Sequence, residues 1–244
     1  MKFKQGYYNP LLLLMFLLTS CMPAIPTPTG PVETKDIVDE KILTLSLIEY
    51  EPETLKVHTT TPLEIYRTVI GRYYYGVHSY RYGYNLPSNI RLEDDAVIFE
   101  FKLMQPNILV DSYPAIVSYP VVLGLWILNK LDEPVIVRWD HVSYVDQEGV
   151  AHKVAKLGKR YIENTQPVGD ILIPPGAKIE ESLLPADYVS FSGRGWRSKP
   201  GLESLMDKER VTVFVPVEIG GKVRNYRFTF EAEKPIKTQK QTQL

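Results

Sequence analysis

Apolar and polar side chains alternate with a period of two over most of the chain from about residue 40 onward. That spacing puts one face of an extended strand into a core. VTVFVPV (211–217) sets Val211, Val213, Val215 and Val217 on one face, and RNYRFTF (224–230) does the same with Tyr226, Phe228 and Phe230. Gly220-Gly221 stands between the two runs, which predicts a hairpin. Pro216 has no N–H to donate and predicts an edge position or a bulge. VIVRWDHVSYV (135–145) and VAHKVAKL (150–157) predict a second hairpin, with Asp146 and Gly149 bracketing its turn and Val145 pairing with Val150. AVIFEFKLM (96–104) and KILTLSLIEY (41–50) also alternate. PVVLGLWILNK (120–130) is almost continuously apolar, as expected of a central strand covered on both faces. ILIPPGAKIEESLLP (171–185) holds a Pro-Pro-Gly turn between short strands, and GLESLMDKE (201–209) predicts about two turns of helix. Many short strands separated by turn signals predict an all-β fold, an antiparallel β-sandwich.

The first 35 residues follow other rules. Lys2 and Lys4 precede an unbroken apolar run, Leu11 to Leu18. As a helix it would span roughly 12 Å, too short for a bilayer core of roughly 30 Å but suited to the apolar region of a secretory signal. Thr19, Ser20 and Cys21 follow, and Cys21 is the only cysteine of the chain. Residues 18–21, LTSC, resemble the lipobox of bacterial lipoproteins. The resemblance implies a signal peptide over 1–20, cleavage before Cys21 and acylation of its thiol, with palmitate-type chains anchoring the protein to the membrane. One acyl chain holds a protein only marginally, and two or three on one residue hold it stably. Residue 22 is Met rather than Asp, which in a diderm bacterium implies the outer membrane, facing the periplasm. MPAIPTPTGPVET (22–34) carries four prolines and no apolar period, and reads as a tether of up to roughly 40 Å.

Removing residues 1–20 takes away Lys2 and Lys4 and no carboxylate, moving the formal charge from −1 to −3. That speaks against nucleic acid as a partner, which calls for a basic footprint. With Cys21 acylated, no intramolecular disulfide and no cysteine metal site can form. The expected organisation is a signal peptide (1–20), an acylated Cys21 with its tether (21–35), a sandwich domain (36–232) and a polar tail (233–244). Residues 36–95 are either a small β-unit of their own or further strands of the same sandwich. The stretch 121–185 is similar to Ig-like sandwich modules of uncharacterised bacterial lipoproteins, through WILNKLDEPVIVRWD, the DQEG turn and IPPG before ESLLP. In such modules an asparagine ends one strand and the next begins after a short polar turn, here Asn129 and LDEP. The resemblance brings no catalytic residues and no cofactor.

Four stretches carry candidate chemistry. YRTVIGRYYYGVHSYRYGY (66–84) packs seven tyrosines among arginines, a histidine and glycines. Tyrosine offers a large rigid contact area with a polar tip. Tyr73, Tyr74, Tyr75, Tyr80 and Tyr82 are therefore candidates for a surface that binds an envelope protein or a cell-wall glycan; the plainer reading is a strand pair with outward tyrosines. SGRGWRSKPG (192–201) adds Trp196 flanked by Arg194 and Arg197, a pairing common at interface hot spots. WDHVSYVDQEGVAH (139–152) holds Asp140, His141, Ser143, Asp146, Glu148 and His152. In the expected register Ser143 faces His152 with His141 diagonal to that histidine on the same face, the raw material of a zinc pair or of an envelope-polymer hydrolase. Two ligands do not make a metal site, and no G-x-S-x-G elbow is present, so solvated strand residues are the simpler reading. Glu93, Asp94 and Asp95 are adjacent, and neighbours on a strand point to opposite faces, which favours a solvated turn over a carboxylate pair. Together these features point to a lipid-anchored, non-catalytic binding or scaffolding module.

Overall fold

Gly220 and Gly221 both take left-handed backbone, with φ of 54° and 74°, which is what a two-residue hairpin turn needs to match the twist of its strands. They join β15 (Arg210–Ile219) to β16 (Lys222–Glu233), paired without slip from Arg210↔Glu231 to Ile219↔Lys222. The computed structural model describes residues 38–70, 79–84, 89–104, 120–155, 169–192 and 195–235. The chain divides after Thr34, and all described residues belong to the unit Lys35–Leu244.

The remaining strands, in chain order, are β1 (Val38–Glu51), β2 (Lys56–Thr60), β3 (Leu63–Ile70), β4 (Ser79–Tyr84), β5 (Ile90–Glu93), β6 (Val97–Met104), β7 (Val122–Asn129), β8 (Val135–Val137), β9 (Ser143–Val145), β10 (Ala151–Lys153), β11 (Ile171–Ile173), β12 (Lys178–Ser182), β13 (Val189–Ser192) and β14 (Gly195–Ser198). They form two antiparallel sheets and a small hairpin, β13–β14. The larger sheet runs β10–β9–β15–β16–β1–β3–β4, with β8 on β15 and β11 on β8; the smaller runs β12–β7–β6–β5–β2. The fold is an all-β sandwich. In the order β12–β7–β6 against β8/β9–β15–β16 its centre follows strands E–B–A and C–F–G of an immunoglobulin domain. Trp139, 1 % exposed, is buried in the 3-10 turn that follows β8. The strands of residues 38–93 are hydrogen-bonded into both sheets: β1 pairs with β16 and β5 pairs with β6.

The alternating residues close the sandwich. Phe99 of β6 meets Tyr226 and Phe228 of β16 at ring-centroid distances of 4.6 and 5.1 Å, and Phe101 meets Phe228 and Phe230 at 4.8 and 5.1 Å. These tilted and edge-on contacts favour the aromatic quadrupole. A polar clasp ties the sheets together at one end. Asp94, in the β5–β6 turn, accepts hydrogen bonds from the Ala96 and Val97 N–H groups on one oxygen and from Tyr226 Oη and Arg224 on the other. Arg224 also grips Asp95 with both terminal nitrogens, and that hydrogen bond outweighs burial to hold the Asp95 carboxyl below its ordinary range. Asp94 and Asp95 thus form a structural turn after Glu93, the last residue of β5, and the nearly buried Asp94 is not the solvated turn residue expected. Asn129 ends β7 as expected: its Nδ2 donates to the carbonyls of Glu133 and Ile173, and its Oδ1 accepts from the Leu131 N–H.

Three further expectations are corrected. Residues 201–209 form no α-helix but a 3-10 turn, Leu202–Ser204. Glu203 turns back to accept from the N–H groups of Gly201 and Val121, anchoring the turn to β7 instead of extending it. Residues 135–145 are not one strand, because a 3-10 turn at Trp139–His141 separates β8 from β9. Pro216 lies neither at an edge nor at a bulge: β15 is interior, and Pro216 faces that break.

Candidate functional site

Pro216 explains a groove. β15 pairs with β9 through Thr212, Val213 and Phe214, and with β8 through Val217 and Glu218. Between these pairings Pro216 has no N–H to give. The partner strand lifts into its 3-10 turn there, and the Arg138 N–H returns to the Pro216 carbonyl at 3.0 Å. The gap left on the outer face is a groove of about 370 Å³. It is lined by the apolar Phe214, Val215, Pro216 and Val223 and by the polar Arg138, His141, Asn225 and Tyr226. Phe214 is 37 % and Val223 51 % exposed, a real cost for apolar groups in water. Register carries the apolar surface sideways, since Leu172 stands opposite Ile136, Ile136 opposite Glu218 and Glu218 opposite Val223. Arg138 is held by ion pairs to Asp170 and Glu218. The hydrogen bond to Asp170 is the larger cause that keeps its guanidinium protonated beyond the ordinary range. The one guanidinium of the groove is thus paired with two carboxylates, and the groove is suited to an apolar anchor with a polar edge.

The polar residues of 139–152 do not assemble as expected. Val145 pairs with Ala151, so Tyr144 faces His152 and Ser143 faces Lys153. One residue of register moves the serine to the opposite face from the histidine, and the triad geometry is lost. Asp146 sets this register: its Oδ1 accepts the Glu148 and Val150 N–H groups, with Gly149 left-handed at φ 80°. His152 lies between two carboxylates, Nε2 at 2.8 Å from Asp146 and Nδ1 at 2.8 Å from Asp187. Carboxylates only accept, so both bonds form together when both ring nitrogens carry protons. The ring fastens the β9–β10 hairpin to the 3-10 turn Ala186–Tyr188. Burial pushes the Asp146 carboxyl up, but the His152, Val150 and Glu148 hydrogen bonds outweigh it and hold the group below the ordinary range. Burial, aided by Asp146 and Asp187, pushes the neighbouring Tyr188 hydroxyl up to about 12. Asp140 accepts from the Gly169 N–H at 3.1 Å, and His141 goes to the groove instead.

Of the other predicted residues, Cys21, Tyr73, Tyr74, Tyr75 and Arg194 lie outside the described residues. Tyr80 and Tyr82 stand on β4 opposite Val69 and Arg67. Trp196 and Arg197 stand on β14 opposite Phe191 and Ser190. Of the groove residues only His141 was a candidate from the sequence, for a different chemistry; the signal that could have found the others is a proline inside the strongest strand pattern of the chain. Among the described residues no helix is long and apolar enough to cross a membrane. Comparison with family models, curated proteins and solved structures finds no match for this chain.

Proposed function

We propose that the chain is a bacterial lipoprotein, acylated at Cys21 and held at the cell envelope, that works as a non-catalytic binding or scaffolding module for a protein or glycan partner. In a diderm host it stands on the outer membrane and faces the periplasm. The observation that carries the reading is LTSC at 18–21: a solitary cysteine placed directly after a short apolar run. The groove with exposed Phe214 and Val223 supports a binding role, because apolar side chains on a concave surface gain most when a partner covers them.

Two experiments test this. Cells fed an alkyne-labelled palmitate should label the wild-type protein and leave Cys21→Ala unlabelled; equal labelling of both would end the anchor assignment. A photo-crosslinking residue at position 214 or 223, irradiated in intact cells, should yield one dominant adduct that disappears when Pro216 and Val223 are replaced by Asp. Only scattered, unaffected adducts would remove the groove from the binding role.

A further inference from the structure

Trp126 occupies the outer face of the smaller sheet. Its neighbours Leu125 and Ile127 point into the core with no exposure, which sends Trp126 to the other side of β7. Two residues earlier the strand carries Gly124, and a Cβ there would lie 2.6 Å from Cζ3 and 2.8 Å from Cη2 of the indole. The benzo ring therefore rests over the glycine, an arrangement no larger residue permits. A glycine inside a strand weakens it and marks a close approach; here the approaching group is an aromatic plate.

The rung that carries Trp126 is polar on both sides. Glu180 of β12 and Glu100 of β6 stand opposite it, and Arg91 of β5 stands beyond Glu100. One rung away Lys102 brings Nζ to 4.9 Å from the indole centroid while pairing with Glu100 at 2.8 Å. Asn89 donates to the same carboxylate at 2.6 Å. Next to the indole two carboxylates, Glu100 and Glu180, offset two cations, Arg91 and Lys102, so no excess charge adjoins the ring to attract a phosphate or a polyanion. It offers planar donors and acceptors around an aromatic ring. Along the strand, Val122 forms a small apolar cluster with Leu184, against which Met104 and Tyr188 pack, and Lys199 Nζ lies 5.1 Å from the Tyr188 ring centroid. Trp126 and Val122 are four residues apart, roughly 13 Å at strand rise.

The geometry points to a saccharide site: the outer face of the β12–β7–β6–β5–β2 sheet binds an extended, net-neutral glycan, with Trp126 as the stacking plate. A pyranose presents a face of C–H groups to an aromatic ring and a rim of hydroxyls that both donate and accept. The indole takes the face, and Glu180, Glu100, Arg91 and Asn89 supply the complement of the rim. The site deepens the binding-module reading by naming the partner class, yet it does not depend on acylation.

The test uses the full-length protein in detergent micelles, with cosedimentation on the neutral polymers chitin, cellulose and curdlan, and calorimetry with chitotetraose. Retention on at least one polymer is expected, weakened about tenfold in Trp126→Ala, the scale of one stacking contact, and several-fold in Arg91→Ala and Glu180→Ala. The last two replace exposed side chains and keep the wild-type melting temperature, so they decide the matter if Trp126→Ala unfolds. Cys21→Ala and Phe214→Ala should bind as wild type, which separates this site from the anchor and from the groove. No retention on any of the three polymers, or retention indifferent to Trp126, Arg91 and Glu180, overturns the assignment.

Discussion

Asn129 offers the sharpest test of how the sandwich is held at its β7–β8 corner. It is 1 % exposed, and its amide makes three hydrogen bonds, two donated to the Glu133 and Ile173 carbonyls and one accepted from the Leu131 N–H. Each such bond contributes about 1 kcal/mol net, and each partner left buried without one costs about as much or more. Asn129→Ala should therefore lose about 3 kcal/mol. For a domain of this size that is a fall of roughly 6–12 °C in melting temperature. Asn129→Asp is the discriminating variant. It keeps the acceptor for Leu131 but turns a carboxylate oxygen toward two carbonyl oxygens, so at neutral pH it should be at least as damaging as alanine despite its near-identical shape. Below the ordinary carboxylate pKa of about 4 the added proton restores one donor, and the gap to wild type should narrow. Urea unfolding followed by circular dichroism at pH 7 and pH 3.5 measures both effects, with an unchanged m-value as the control. An aspartate variant as stable as wild type at pH 7, or an alanine variant losing less than about 1 kcal/mol, would refute the reasoning.

Other parts of the molecule answer to equally direct measurements. A Cβ at Gly201 would lie 2.3 Å from the Val121 carbonyl oxygen, so Gly201→Ala should destabilise by about 1–3 kcal/mol, whereas Gly221→Asn, at φ 74° with open space around it, should cost little; thermal melts of the pair check the contrast. Asp146 is held below the ordinary carboxylate range in the folded state. Its contribution is therefore complete above the unfolded-state pKa and disappears as the pH falls through the folded value. Asp146→Asn should flatten the loss of melting temperature between pH 5 and pH 2, and an unaltered slope would contradict the assignment. Tyr226→Phe removes the hydroxyl that donates to Asp94 at 2.5 Å and should cost about 1–3 kcal/mol, with Arg224→Met compounding it less than additively because both serve one carboxylate.

The strands were legible because their residues alternate without interruption: β6, β15 and β16 coincide with runs that place only apolar groups on one face. The turn at Gly220-Gly221 was legible because two left-handed positions in succession admit little else. The break between β8 and β9 was not. VIVRWDHVSYV keeps an apolar residue at nearly every second position through Trp139, and the interruption is imposed by Pro216, some 75 residues downstream in another strand. The β9–β10 register missed by one residue for a local reason, since Asp146 caps the turn through two N–H groups and lengthens the loop. Residues 201–209 have a composition compatible with helix, but Glu203 spends its carboxylate on Val121, a tertiary contact with no trace in local propensity. The groove and the Trp126 plate share this origin: each joins residues from separate strands, and only the pairing of those strands reveals them.

The length of β1 has a mechanical consequence. The strand begins at Val38, where the preceding segment joins, and ends at Glu51, beside Arg227 and in the same rung as Phe214 of the groove. Thirteen steps at strand rise separate the two ends by about 40 Å. A load applied between the N-terminal attachment and a partner seated on the groove would run along β1 in one direction and along β15–β16 in the other. The β1–β16 hydrogen bonds lie across that direction, so they would resist sliding together rather than open one after another. A domain tethered at Val38 and gripped at Phe214 is thus loaded in shear, the orientation in which an antiparallel sheet is hardest to pull apart.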